Sequence, residues 1–471
     1  MNQTTAGPGP TLARRLTLRD MVLLNIVAVI SLRWLATSAA TGPSALVLWV
    51  LAALFFFLPM GTAVSALSVR HPEEGGIYAW TKRAYGDKHG FLCGWCYWVS
   101  NLLYYPNLLM STAAIATYAF GRGGTGLEND LAFVLPTTLL MLWFATTINV
   151  VGVGTGRWLQ NAGAVCTFLP GLALIVLGVI AVVTRGSANE FSAAAMVPNL
   201  RDFSAVNLWA SIAFAFSGLE LAPTMAGEVQ SPERTLRRAV LVAAPAIVGM
   251  YMLGTASVLW LVPRGEINIV TGILQAIDTG ARSLGVAFGW ISALAAGLVV
   301  IGNLGSIGAW LSGPARVAFT IGIDAYFPRA FGRIHPTYQT PYVAMFAQAG
   351  FGTLFLLIAV FGKGTTVATA YLIMLDTMLL QYFIPFLYLF ASYLRIERQH
   401  ASALGRLRLT MTGVSGFLLT LFAMIVACVP PSGTERIWEF ELKVVGGALF
   451  FVLVGVGLYA RGQRALSAAV A

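Results

Sequence analysis

Phe214-Ala215-Phe216-Ser217-Gly218-Leu219-Glu220 decides how this chain folds. It lies inside an apolar run from Phe203 to Ala226 that otherwise reads as an ordinary membrane helix. A helix that only crosses lipid has no use for Ser-Gly followed by a carboxylate at its centre. Glycine loosens a helix by about 1 kcal/mol relative to alanine. An ionisable group at bilayer depth is costly and turns toward a cavity or a partner. The run therefore reads as a helix broken near its middle, with the break facing a site. The first apolar run carries a similar interruption, Ser31-Leu32-Arg33-Trp34.

Composition supports this reading. Of 471 residues, 58% are hydrophobic and 10% charged, against about 25% charged in a soluble domain. Mean hydropathy is +0.77, and apolar runs of membrane-spanning length recur along the chain. The expected fold is an all-α integral membrane protein of about twelve spans. Their ends read as 18–43, 46–69, 90–120, 131–150, 159–184, 203–227, 238–262, 284–315, 341–361, 366–394, 411–429 and 442–461. The start of the chain also resembles a signal peptide, with Arg14, Arg15 and Arg19 before a short apolar stretch. The apolar character resumes at once after Arg33, which favours a broken first span.

The net charge of +10 follows topology. With the N-terminus in the cytoplasm, the inside segments hold 20 Lys and Arg and the outside segments 8, with Arg33 alone inside a span. That bias is the one expected of cytoplasmic loops. It places both termini inside and calls for no nucleic acid. Breaks in spans 1 and 6 suggest two five-helix units, spans 1–5 and 6–10, related as an inverted repeat with two helices appended. The domain reading is a cytoplasmic tail at 1–17, a transport core at 18–400, and spans 11–12 with the C-terminal tail at 401–471.

Arg33 and Glu220 are the first candidate pair. If the broken spans are neighbours, the two charges could meet. One reading gives Arg33 to a substrate carboxylate and Glu220 to proton coupling or gating. The other makes them a structural ion pair. Asp376, inside span 10, is a second candidate proton carrier or a structural carboxyl. Candidate gating aromatics are Phe214 and Phe216 on span 6, Trp310 on span 8, and Tyr104 and Tyr105 on span 3. Asn101 and Asn107 flank the two tyrosines. Glu228 and Asp20, at span ends, read as solvated groups or helix caps.

Other patterns carry less. Cys93-Gly94-Trp95-Cys96 matches a redox or metal motif, but two small apolar residues at a helix start account for it. Gly152-Val153-Gly154-Thr155-Gly156-Arg157 is not a phosphate loop, since no strand precedes it, and reads as a cytoplasmic turn. No metal-binding histidine spacing and no nucleophile-base constellation emerges. No cofactor and no enzyme activity is expected.

The chain resembles the amino acid-polyamine-organocation permeases, and within them the glutamate:GABA antiporter-type branch. The resemblance rests on Ser31-Leu32-Arg33-Trp34-Leu35, on Pro72-Glu73-Glu74-Gly75-Gly76-Ile77-Tyr78-Ala79-Trp80, and on Tyr97-Trp98 with Tyr104-Tyr105-Pro106. Phe216-Ser217-Gly218-Leu219-Glu220, Gly227-Glu228-Val229-Gln230-Ser231-Pro232-Glu233-Arg234 and Gly305-Ser306-Ile307-Gly308-Ala309-Trp310 complete it. It implies a LeuT-like fold and secondary transport of amino acids by alternating access, as an exchanger or proton-coupled symporter. Phe214 and Trp310 fall where family members carry gating aromatics. Glu220 falls where they carry a proton-linked carboxylate. Ala28-Val29-Ile30 replaces the Gly-Ser-Gly whose bare amides hold the substrate carboxylate in many members, which turns attention to Ser31 and Arg33. The lysine that stands in for sodium in some relatives has no counterpart in Thr167-Phe168-Leu169-Pro170.

The expected site is therefore Ser31, Arg33, Tyr104, Tyr105, Phe214, Phe216, Ser217, Gly218 and Trp310 for binding or gating, with Glu220 and Asp376 for coupling. The expected partners are an amino acid or amine substrate and membrane lipid, with no nucleic acid. The expected state is a monomer or homodimer in a bacterial-type inner membrane. A polyamine carrier is the near alternative. A channel or non-transporting membrane sensor is the alternative of another class.

Overall fold

The computed structural model describes residues 15–470, apart from 74, 124, 200, 202, 286–289, 325, 361–366, 401, 430–437, 439 and 440. Residues 1–14, most of the expected tail, and Glu74 of the Pro72–Trp80 motif lie outside the described residues. The described chain is helical, with a single isolated bridge between Leu16 and Val229. Its long helices fall into twelve spans. Span 1 is Leu18–Val29 plus Arg33–Ala39, and span 6 is Phe203–Ala215 plus Leu221–Thr224. Span 2 runs Ser44–Arg70 with a wide π-helical turn at Ala53–Phe57. The others are Asp87–Ala119, Leu131–Val151, Val153–Arg185, Pro232–Leu261, Trp290–Ile323, Tyr342–Val360, Val367–Glu397, Ala403–Ala427 and, after a π turn at Leu442–Gly446, Gly447–Val470.

Among the described residues, ten helices are long and apolar enough to cross a membrane. The two spans outside that set are Asp87–Ala119 and the broken span 6, and both are central. Span 3 is buried nearly all round, from Gly90 to Thr117. Its tyrosines, asparagines and serines face protein, so it does not need the hydropathy of a lipid-facing helix. The periphery shows the reverse pattern, with Leu54, Phe55, Leu140, Trp158, Val176 and Leu418 all exposed. Large apolar groups on the outside of a helical bundle fit a multi-pass membrane protein.

Several boundaries differ from those read off the sequence, each for a local reason. The turn expected at Gly152–Arg157 is confined to Gly152, and the residues after it are helical. Span 4 ends at Val151, Gly152 turns the chain with φ 140°, and span 5 starts at Val153. Span 7 begins earlier, at Pro232, a residue suited to the first helical turn. An amphipathic helix, Gly272–Leu284, stands apart from span 8. Another, Ile77–Tyr85, precedes span 3 and is separated from it by Gly86.

The broken spans lie side by side and antiparallel. The first half of span 1 packs on the second half of span 6, and the second half of span 1 on the first half of span 6. Spans 3, 5, 8 and 10 form the neighbouring scaffold, with span 8 packed on spans 3 and 5 and span 10 on span 3. Spans 5 and 8 cross closely at Gly163 and Gly305, where an added Cβ would come within 2.7 Å of the opposing Cα. Small residues that let backbones approach are the usual packing device in lipid.

The Pro72–Trp80 motif now has a place. Gly76 has φ 45°, and a Cβ there would lie 3.1 Å from the Thr224 backbone nitrogen. The motif thus seats against the end of span 6. Cys93 and Cys96 are buried and free, as two small apolar residues would be. Among the described residues no cluster of His, Cys, Asp or Glu could hold a metal.

Candidate functional site

The breaks are built from different materials. In span 6, Gly218 has φ 127°, a conformation side chains disfavour. A Cβ there would sit 3.1 Å from the Ala28 carbonyl oxygen and 3.0 Å from Val29 Cγ2. Glycine thus permits both the turn and the approach to span 1. Span 1 has no glycine at its break, and a tyrosine from span 7 supports it instead. The Tyr251 hydroxyl accepts the Ser31 N–H at 3.2 Å. It lies 2.5 Å from the Val29 carbonyl and 2.9 Å from the Ala215 carbonyl, and its one proton serves both. These are the carbonyls left open where the two half-helices stop. Trp49 stacks on the same ring at 4.5 Å.

Sequence reading missed Tyr251, which looks like any aromatic in an apolar run. Tyr251→Phe leaves one buried N–H and two carbonyls without this partner, each costing about 1–3 kcal/mol. Its melting temperature in detergent should fall by several degrees with membrane insertion retained. An unchanged melt would contradict the role.

Glu220 is fully buried. One carboxylate oxygen accepts the Gly218 N–H at 2.9 Å. The other accepts the Tyr97 hydroxyl at 3.3 Å and, by a short bond, the Tyr382 hydroxyl. Arg33 does not meet it, so the expected Arg33–Glu220 pair is corrected. The reason is the antiparallel packing. Both residues follow the break in their own span, and antiparallel neighbours put those positions on opposite sides of the break plane.

Arg33 is 3% exposed. Nη1 donates to Asn107 Oδ1 at 2.5 Å, and Asn107 is itself fixed by donating to the Tyr371 carbonyl at 2.7 Å. The guanidinium lies 4.2 Å from the Trp34 ring, 5.3 Å from Tyr104 and 5.8 Å from Tyr371. Among the described residues, Nε and Nη2 have no hydrogen-bond partner within ordinary distance, and neither do the hydroxyls of Ser31, Ser217 and Tyr371. Buried polar groups are ordinarily paired. Arg33 thus keeps donor capacity on the side that faces the Tyr104 and Trp34 rings.

The aromatic candidates divide. Phe214 meets Trp34 at 5.6 Å, Tyr104 at 6.1 Å and Tyr382 at 4.9 Å. Trp310 meets Tyr104 at 4.9 Å and Tyr382 at 5.8 Å, and its indole donates to the Ala28 carbonyl at 3.0 Å. Phe214, Tyr104 and Trp310 thus form one cage with Trp34 and Tyr382. Phe216 turns away, packing on Phe57 at 4.7 Å and Trp49 at 5.1 Å. Tyr105 stands behind the cage, its hydroxyl donating to the Trp310 carbonyl at 2.9 Å. Asp376 is buried, with one carboxylate oxygen unpartnered among the described residues. At 100° per residue it lies roughly 120–140° around span 10 from Tyr371 and Tyr382, which face the cage.

One end of the bundle is closed by charge. Arg316 on span 8 and Glu228, just after span 6, form a buried ion pair. Arg316 Nε donates to Glu228 at 2.8 Å, and Nη1 donates to the Ser312 carbonyl at 2.7 Å. The expectation of a solvated Glu228 is corrected, and Arg316 is no free loop charge. Leu16 and Arg15 donate their N–H groups to the Glu228 carbonyl at 2.9 Å, and Gln230 N–H donates to Leu16. Asp20 serves as the cap partner expected of it, in a capping box with Thr17. Removing one partner of a buried pair costs about 3–5 kcal/mol because it strands the other charge. Arg316→Ala and Glu228→Ala should each lower the melting temperature strongly. The double variant should be closer to wild type than the sum of the two, and strict additivity would contradict the pairing.

The chain is similar to known proteins over nearly its whole length. The model of a family described as amino acid permease matches residues 16–454. An uncharacterized transporter of Legionella pneumophila is 27% identical over 92% of this chain and 94% of its own length. A probable agmatine/putrescine antiporter of Lactococcus lactis is 22% identical over 92% of each. A glutamate/gamma-aminobutyrate antiporter of the same species is 22% identical over 82% of this chain and 78% of its own length.

Proposed function

The chain belongs to the amino acid permease family, and from that premise we propose that it exchanges amino acids across a bacterial inner membrane, with both termini in the cytoplasm. It is a secondary transporter, and the break of spans 1 and 6 is its binding site. The transport core is residues 18–400, with 401–471 appended. The observation that carries this reading is Arg33, buried at the break with two donor nitrogens unpartnered among the described residues. Those donors suit a substrate carboxylate. The N–H groups of Ser31 and Gly218 are already taken by Tyr251 and Glu220, so they hold less for the substrate. Ser31 and Ser217 hydroxyls supply further contacts.

Phe214, Tyr104 and Trp310 cover the substrate, and Glu220, held by Tyr97 and Tyr382, responds to its arrival or to a proton. The polyamine alternative draws on the agmatine/putrescine relative. The buried guanidinium, which repels a dication, weighs against it. Ligand-dependent melting separates the two. A ligand at 100 times its Kd stabilises by about 2.7 kcal/mol. An α-amino acid should raise the melting temperature and diamines should not, and the reverse would overturn the assignment. Phe214→Ala and Trp310→Ala should insert normally and lose most transport. Full activity in both would remove the gate.

A further inference from the structure

A cavity of about 1060 Å³ lies on the outside of the bundle, between spans 2 and 7. It is far from the aromatic cage in character. Its walls include Ala53, Leu54, Gly61, Leu241 and Ala244, and it opens sideways where Leu54, Leu58 and Leu241 are exposed. It exists for local reasons. Span 2 widens at the π turn Ala53–Phe57, and span 7 carries Pro245, which cannot donate a backbone hydrogen bond to the preceding turn. Small residues at Gly61 and Ala244 leave the space unfilled.

Its two ends differ in chemistry. One is apolar, at Val50, Val248 and Met252. The other holds Arg70, Arg237 and Glu397. Arg70 is spent on Glu397, at 2.8 Å and 3.2 Å. Arg237 is exposed and makes no hydrogen bond or ion pair among the described residues. Arg234 and Arg238 stand beside it at the exposed start of span 7. A long apolar slot open to lipid, ending in a net cationic cluster where Arg234, Arg237 and Arg238 outnumber the one neighbouring acid, Glu233, has the shape and charge of a phospholipid with an anionic headgroup.

We propose that this groove binds one anionic phospholipid, its headgroup at Arg237 and an acyl chain laid between spans 2 and 7. The floor gives the site a consequence. Leu219 lines the groove, and it is the residue before Glu220 in the break of span 6. A Cβ added at Gly61 would touch Leu219 Cδ1 at 3.6 Å. The groove floor therefore reaches, through Gly61, to the residue next to Glu220 in the broken helix, with Leu219 itself buried beneath it.

The test is native mass spectrometry of the purified, delipidated full-length protein titrated with phosphatidylglycerol or phosphatidylcholine. Wild type should retain phosphatidylglycerol at severalfold lower concentration than phosphatidylcholine. Arg237→Ala should erase that difference. Ala244→Trp, which fills the groove from span 7, should lower retention of both lipids about tenfold. Ser65→Trp fills it from span 2 and serves if the first variant misfolds. Equal retention of the two lipids by wild type would overturn the proposal, as would undiminished phosphatidylglycerol binding in a folded, groove-filled variant. The readout is binding, so it stands apart from whether amino acids are transported.

Discussion

Glu220→Ala should insert into the membrane and lose at least about 99% of exchange, because it removes the one acceptor shared by Gly218 N–H, Tyr97 and Tyr382. Each stranded buried donor costs about 1–3 kcal/mol, so the break loses the geometry that positions substrate. Each 1.4 kcal/mol is about tenfold in an equilibrium constant, and two such donors account for the expected loss. Glu220→Gln separates shape from charge. It keeps an oxygen for one hydroxyl but cannot carry a proton on and off. If Glu220 couples transport to protons, the glutamine variant should exchange at a rate indifferent to pH where wild type is not. Normal exchange by the alanine variant, in protein shown to be folded, would remove Glu220 from the mechanism.

The second large effect belongs to Arg33. Arg33→Ala leaves Asn107 without its donor and the cage without its cation. A hydrogen bond to a charged group is worth about 1.5–3 kcal/mol, so apparent affinity for a carboxylate substrate should fall roughly 10–100-fold. Arg33→Lys should restore little. An ammonium lacks the planar fork that could hold Asn107 with one nitrogen and substrate with the others. The check is the concentration dependence of exchange in both variants. An alanine variant with unchanged substrate affinity would show that Arg33 is structural. A variant that gains diamine transport would support the charge argument from the other side.

Much of this was legible from the sequence because breaks in membrane helices announce themselves. Ser217-Gly218 and Glu220 stand out against an apolar run, and so does Arg33. Cationic loops alternate with the spans. Phe214, Tyr104 and Trp310 sit near the breaks and converge on one cage. What stayed hidden depends on distance and direction. The expected Arg33–Glu220 pair failed because adjacency of two spans says nothing of level, and antiparallel halves put the charges apart. Tyr251 and Tyr382 carry no local signal, since a tyrosine in an apolar run looks like core until its hydroxyl finds a partner far along the chain. Glu228 and Arg316 are 88 residues apart, and each alone reads as a loop charge. Phe216 and Asp376 were raised by position, and the turn of the helix points both away from the cage. The turn at Gly152 was foreseen but its length was not, because one glycine with φ 140° suffices to join two helices.

The central claim is that the chain exchanges amino acids through the break of spans 1 and 6. Uptake of labelled amino acids and amines into proteoliposomes tests it most directly, measured with and without internal substrate and with and without an imposed proton gradient. The account predicts uptake of an amino acid that requires internal substrate and is lost in Glu220→Ala. Absence of uptake of any amino acid or amine by folded protein would contradict it.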